Sequence, residues 1–275
     1  MTRANRLFAL AVGAILLLPL AATVAAFSTL SSTPSSDMAV GTPLVVTPTP
    51  VATTQQDAGA LAQKGLASYE AGDLVEAEGQ FRSALALAPD AASVWNVLGL
   101  DLAQQERYAE AIAAFRRAAE LEPARLEFQV NLGTALLAAQ QPAQAEAALQ
   151  AALAIDPGNA PAHAGLGEIY RADGRTEAAI AAFEQALAQD PGLVSGYQSL
   201  AVIHAGAGDA PRAIELLQQA VVLAPQDPSL HYDLGLAYLL DQQSEPARRH
   251  LLEAIRLAPG SEWALHAQEQ LDGIR

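Results

Sequence analysis

The chain has 275 residues, a formal charge of −15, 51% apolar residues and only 5% aromatic ones. It contains no cysteine, which excludes disulfides, thiolate catalysis and cysteine-ligated metals. The acidic balance repels phosphate backbones and argues against nucleic-acid binding.

Residues 1–27 read as a targeting segment. Arg3 and Arg6 precede the apolar run Leu7 to Phe27, interrupted by Gly13, Pro19 and Thr23. Two readings stand. As a cleaved signal peptide, the run breaks at Pro19, and Val24, Ala25 and Ala26 supply small residues before a cut at Ala26/Phe27. As an uncleaved anchor, the 21-residue run is long enough to span a bilayer as a transmembrane helix, with the arginines holding the N-terminus in the cytoplasm. Either reading places the remainder outside the cytoplasm, secreted or anchored to the membrane. Residues 28–57 are rich in Ser, Thr and Pro and include Thr47-Pro48-Thr49-Pro50. Such a segment buries too little apolar surface to order itself and is expected to be a disordered linker.

From Ala58 onward the chain is periodic. Pro89, Pro123, Pro157, Pro191, Pro225 and Pro259 recur every 34 residues. Twelve residues before each proline stands an alanine: Ala77, Ala111, Ala145, Ala179, Ala213 and Ala247. Five before each stands another: Ala84, Ala118, Ala152, Ala186, Ala220 and Ala254. Eight before each is a bulky apolar residue: Phe81, Phe115, Leu149, Phe183, Leu217 and Leu251. Twenty-four before each is a small one: Gly65, Gly99, Gly133, Gly167, Ala201 and Gly235. Small residues let helix backbones approach, bulky ones are expected to fill the hole between hairpins, and the proline follows a helix it cannot extend. A period of this length points to stacked helical hairpins, each packing only on its neighbours.

Two helices are predicted in each repeat, over about 59–71 and 74–87 in the first and advancing by 34 thereafter. Asp73, followed three residues later by Glu76, makes a capping box. Pro142, Pro211, Pro228 and Pro246 fall in first turns, and Asn159 and Asp227 stand where side-chain caps are wanted. Beyond Pro259, Ser261 is placed to cap a final helix over 262–272 whose outer side is polar. A stack of hairpins needs such a lid over its last apolar face.

These residues resemble the tetratricopeptide repeat (TPR) family. The second repeat carries the signature most fully, with Trp95, Leu98, Gly99, Tyr108, Ala111, Phe115, Ala118 and Pro123. Gln129, His163 and His231 occupy the slot of Trp95, and Ala201 replaces the glycine of the fifth repeat. The resemblance implies an all-α, right-handed α-solenoid of six helical hairpins plus a C-terminal capping helix. The repeats run over about 58–91, 92–125, 126–159, 160–193, 194–227 and 228–261, within a domain spanning 58–275.

The resemblance further implies a concave groove lined by the first helix of each hairpin. Family geometry places Leu66, Tyr69, Asn96, Leu100, Val130, Asn131, Thr134 and Leu137 there, then Glu168, Arg171, Gln198, Val202, Tyr232, Leu236 and Leu239. Asn131 matches one position of the clamp with which some members grip C-terminal carboxylates, but that clamp's basic partners are missing here. The groove is expected to be apolar toward both ends with Glu168 and Arg171 between, suiting a docked helix or extended segment.

No motif for catalysis, phosphate cradling or calcium binding is present. His163, His204 and His231 stand in packing slots, which is the structural role of most such histidines. The expectation is a non-enzymatic, extracytoplasmic protein-interaction scaffold without cofactor or metal, binding protein or peptide segments, with basic flanks favoured by the acidic charge. The alternative is a self-assembling structural component of the cell envelope.

Overall fold

The computed structural model describes residues 50–274. The expected targeting segment and residues 28–49 of the expected linker lie outside the described residues. Among the described residues there are thirteen α-helices and no strand. We number them α1 (Pro50–Glu70), α2 (Leu74–Leu87), α3 (Ala92–Gln104), α4 (Tyr108–Leu121), α5 (Leu126–Ala138), α6 (Pro142–Ile155) and α7 (Ala160–Ala172). There follow α8 (Thr176–Gln189), α9 (Val194–Gly206), α10 (Ala210–Leu223), α11 (Pro228–Leu240), α12 (Ser244–Leu257) and α13 (Glu262–Gly273). The fold class is an all-α helical-hairpin solenoid. The described residues divide into two compact units, one up to Asp156 with α1–α6 and one from Pro157 with α7–α13. Each unit contains three hairpins in sequence, and α13 packs on α12 and α11 in the second.

Five of the helices start on a side-chain cap. Asp73, Asn159 and Ser261 each accept from the backbone amide three residues on, at 3.3, 2.9 and 3.2 Å. Asp227 accepts from Ser229 N at 2.9 Å. One boundary differs from expectation. α1 begins at Pro50, so residues 50–57 are helical rather than linker. Proline suits the first position of a helix because its amide hydrogen would have no partner there and its φ is preset.

Inside each hairpin the period becomes a contact. A Cβ added at Gly99 would lie 2.6 Å from the Phe115 ring, and one at Gly133 would lie 2.6 Å from Leu149. Gly65 meets Phe81, Gly167 meets Phe183 and Gly235 meets Leu251 in the same way, at 2.7–2.8 Å. The first helix thus presses its backbone onto the bulky residue of the second. Both alanines of every repeat are fully buried, each at 0% exposure. They hold the close approach that the glycines begin.

Between the two helices of every hairpin one residue turns left-handed. Gly72, Gly174 and Gly208 do so at φ +82°, +72° and +82°. Glu106, Gln140 and Gln242 occupy the same register position at φ 60°, 60° and 59°. The following amide reaches back five residues, as Asp73 N to Ser68 O at 2.8 Å and Gln141 N to Leu136 O at 2.9 Å. This closes the helix end with a Schellman-type bond.

Candidate functional site

The first helices of a hairpin stack form a row, because consecutive hairpins repeat the same register. Side chains 35 residues apart therefore meet across neighbouring first helices. Asn131 Nδ2 donates to Asn96 Oδ1 at 2.9 Å in the first unit, and Gln198 Nε2 donates to Asp233 Oδ2 at 2.7 Å in the second. Ser199 Oγ donates to Glu168 Oε1 at 2.6 Å.

In the first unit these contacts use up much of what the sequence offered as a binding surface. Asn96, Asn131 and Thr134 are buried, the asparagines paired with each other and Thr134 Oγ1 donating to Val130 O at 2.9 Å. Leu137, expected as an apolar anchor, is 1% exposed. α5 is apolar on nearly every side, with Phe128, Val130, Leu132, Ala135 and Leu136 also buried, so its leucines are core rather than groove. Tyr69 and Leu100 remain partly exposed.

One buried group in this unit has no counterpart elsewhere. Asp101 on α3 is 0% exposed, and sister repeats hold Ala67, Ala135, Ile169, Ile203 and Ala237 at its position. Its Oδ2 accepts from Gln105 Nε2 at 2.7 Å while Oδ1 has no hydrogen-bond partner. Burial pushes its carboxyl up to about 6, against the opposing pull of the Gln105 bond. The Tyr69 phenol is raised as well, first by burial and then by the Asp101 charge.

In the second unit, the polar centre of the expected groove is a bonded network in which Glu168 is buried and Arg171 partly exposed. Glu168 is 2% exposed and receives Arg171 Nε and Nη2 on Oε2, at 3.1 and 2.6 Å. With Ser199 on Oε1, the carboxylate is fully satisfied. Around this pair the surface is more open. Gln198, Tyr232 and Leu236 are partly exposed, while Val202 and Leu240 are 48% and 59% exposed. Leu239 packs with Tyr232 against Leu251, Ala254, Ala267 and Leu271.

Three side chains of this row were not placed in it by the sequence reading. Trp263 and His266 on α13 stand 34 residues after Ser229 and Tyr232, so α13 continues the register of the first helices. The Tyr232 ring lies 5.7 Å from Trp263 and 6.1 Å from His266. Asp233 is the third, and burial pushes its carboxyl up to about 6 despite the Gln198 amide. The register itself was the signal that could have found the two rings. A carboxylate among apolar neighbours was the signal for the acids.

The histidines hold structural bonds: His163 and His231 contact the carbonyls of Pro157 and Pro225 at 2.9 and 3.1 Å, and His204 Nδ1 meets Asp209 Oδ2 at 3.2 Å. No group of three or more metal-ligating side chains assembles among the described residues. No helix among them is long and apolar enough to cross a membrane.

A family model described as the cytochrome c-type biogenesis protein H TPR domain matches residues 52–192, just over half of the chain. A second, described as a TPR repeat, matches residues 207–242. No curated protein is significantly similar in sequence. Among solved structures, PilW, described as a widely conserved type IV pilus biogenesis factor, superposes with a TM-score of 0.70 at 20% identity, over 78% of this chain and 99% of its own. A chain of the APC/C hetero-tetramer Cut9–Hcn1 superposes at 0.69 and 20% identity, over 78% of this chain. The match spans only 42% of that longer chain. YrrB, described as a TPR protein with an unusual peptide-binding site, superposes at 0.51 and 18% identity, over 69% of this chain and 97% of its own. At these identities the likeness carries the fold alone. Periodicity, hairpin packing and family model agree: the chain belongs to the tetratricopeptide repeat family.

Proposed function

We propose that the chain is an extracytoplasmic, non-enzymatic scaffold that binds a peptide or helix of another protein along its first helices. TPR stacks serve as protein-interaction scaffolds, and YrrB is one such protein with a peptide-binding site. The observation that carries the reading is the open apolar stretch of the second unit. Val202 and Leu240 are 48% and 59% exposed. They sit on neighbouring first helices at register positions one turn apart, with Leu236 partly exposed beside them. The exposed apolar residues of second helices, such as Val75, Val222 and Leu252, are spread over separate hairpins. Apolar anchors of this kind dominate recognition energy once desolvated. The export reading rests on Arg3, Arg6 and the apolar run that follows them.

The test is partner capture from an envelope extract by the full chain. Val202→Ser and Leu240→Ser should each reduce it, and Glu184→Gln, exposed on the second helix α8, should not. Equal capture by all three, with helicity intact, moves the site off the first helices. A C-terminal phosphatase fusion that requires export for activity tests the location. An inactive fusion places the repeats in the cytoplasm.

A further inference from the structure

The first-helix row of the second unit joins two features that the apolar stretch alone does not explain. One is the cluster of partly exposed rings, in which Trp263 and His266 are tilted 48° and 41° to Tyr232. The other is Asp233, the residue next to Tyr232 and itself partly exposed, whose carboxylate accepts from the neutral amide of Gln198. A carboxylate held by an amide gains far more from a guanidinium or ammonium, whose hydrogen bonds are charge-assisted. Glu168, by contrast, already has its own arginine and offers no such place. The chain's charge of −15 adds a long-range pull on basic segments.

We propose that this row binds a peptide segment carrying an arginine or lysine between apolar side chains, the cation meeting Asp233, the apolar flanks meeting Val202, Leu240 and the rings around Tyr232. The assignment rests on the groove reading above and adds the chemistry of the partner. Backbone contacts along an extended segment, or one face of a helix, would seat the flanks, while the single cation sets the register.

A random peptide library displayed on phage is selected against the immobilised full chain. Enriched sequences should place Arg or Lys between apolar residues. A synthetic peptide of the leading sequence should bind Asp233→Asn about tenfold more weakly than the wild type. Replacing its cation by norleucine should cost a similar factor with the wild type and little with Asp233→Asn. Enrichment without a basic residue, or no enrichment at all, overturns the proposal. If Leu240→Ser abolishes binding while Asp233→Asn leaves it unchanged, the groove reading stands and the cation assignment falls. If neither variant changes it, both fall. A dimer in light scattering that Leu240→Ser dissociates would make a second copy the occupant and overturn the proposal as well. Circular dichroism of each variant separates loss of binding from loss of fold.

Discussion

Trp95 Nε1 donates a hydrogen bond to the carbonyl oxygen of Pro89, six residues earlier, at 2.9 Å. The bond ties the first helix of the second hairpin to the proline that ended the first. Gln129 Nε2 makes it to Pro123 at 3.4 Å, His163 Nε2 to Pro157 at 2.9 Å and His231 Nε2 to Pro225 at 3.1 Å. A tryptophan, a glutamine and two histidines share little in size or hydrophobicity. They share a side-chain nitrogen that reaches the same carbonyl, and donation to it sets the histidines with hydrogen on Nε2. Tyr197 holds the slot in the fifth hairpin and packs against the core instead.

A donor-specific effect follows. His163→Leu should destabilise the fold by about 0.5–1.5 kcal/mol, the net value of an intramolecular hydrogen bond. His163→Gln should lose markedly less, since Gln129 shows that an amide serves there. Urea denaturation of the three proteins checks this, and equal losses would show that ring packing rather than donation holds the slot.

The left-handed turn position predicts a gain. Gln140 adopts φ 60° where sister hairpins use Gly174 and Gly208. A side chain in this region costs about 1–2 kcal/mol, partly offset by the extra freedom glycine has when unfolded. Gln140→Gly should therefore raise stability by up to about 1 kcal/mol, and Gly174→Ala should lower it. Melting temperatures moving the other way would mean that the side chains at this turn make compensating contacts.

Glycines within helices should separate by what surrounds them. Gly133→Ala places a Cβ 2.6 Å from Leu149 and should destabilise by about 1–3 kcal/mol through overpacking. Gly79, in the middle of α2, has nothing within 4 Å of an added Cβ. Gly79→Ala should instead stabilise by about 0.5–1 kcal/mol, the helix-propensity difference. Thermal melts of both variants against the wild type decide it.

Asp101 ties stability to pH. Its folded value is raised to about 6 from the ordinary 3.8, so the folded state holds the proton more tightly. The buried charge weakens the fold above about pH 6, and this cost fades as pH falls toward the unfolded value. Asp101→Ala should hence be more stable than the wild type at pH 7, by about 1–3 kcal/mol, with the gap closing between about pH 6 and pH 4. His250 acts in the opposite direction: burial, then the charge of His231, lowers its value from 6.5, so its share of stability is lost as pH falls below that. A gap between wild type and Asp101→Ala that is the same at about pH 4 and pH 7 would show that the carboxylate is not the cause.

The sequence by itself determined the helices and their pairing. The second helices, α4 as 108–121 and α6 as 142–155, lie where the period put them. Caps at Asp73, Asn159 and Ser261 formed, but the reciprocal arm of the capping box read at Asp73 did not, because Glu76 Oε1 accepts from Gln80 and Asp73 N bonds to Ser68 O. These features are local or repeat at fixed spacing, so residue type at each register position carries them. The period named Gly99 and Phe115, but it set the bulky residue between hairpins, whereas the structure packs it on the glycine of its own hairpin. What only the tertiary structure decided is which side chains remain open on the first helices. Leu137 and Leu236 both lie on first helices and look alike as leucines, yet one is 1% exposed and the other partly open. Asn96 and Asn131 looked available and are closed on each other. Exposure depends on contacts between hairpins, which no single helix specifies, and the same holds for Trp263 reaching Tyr232. A repeat fixes a backbone from its period. Its surface is set by the few positions where neighbouring repeats differ.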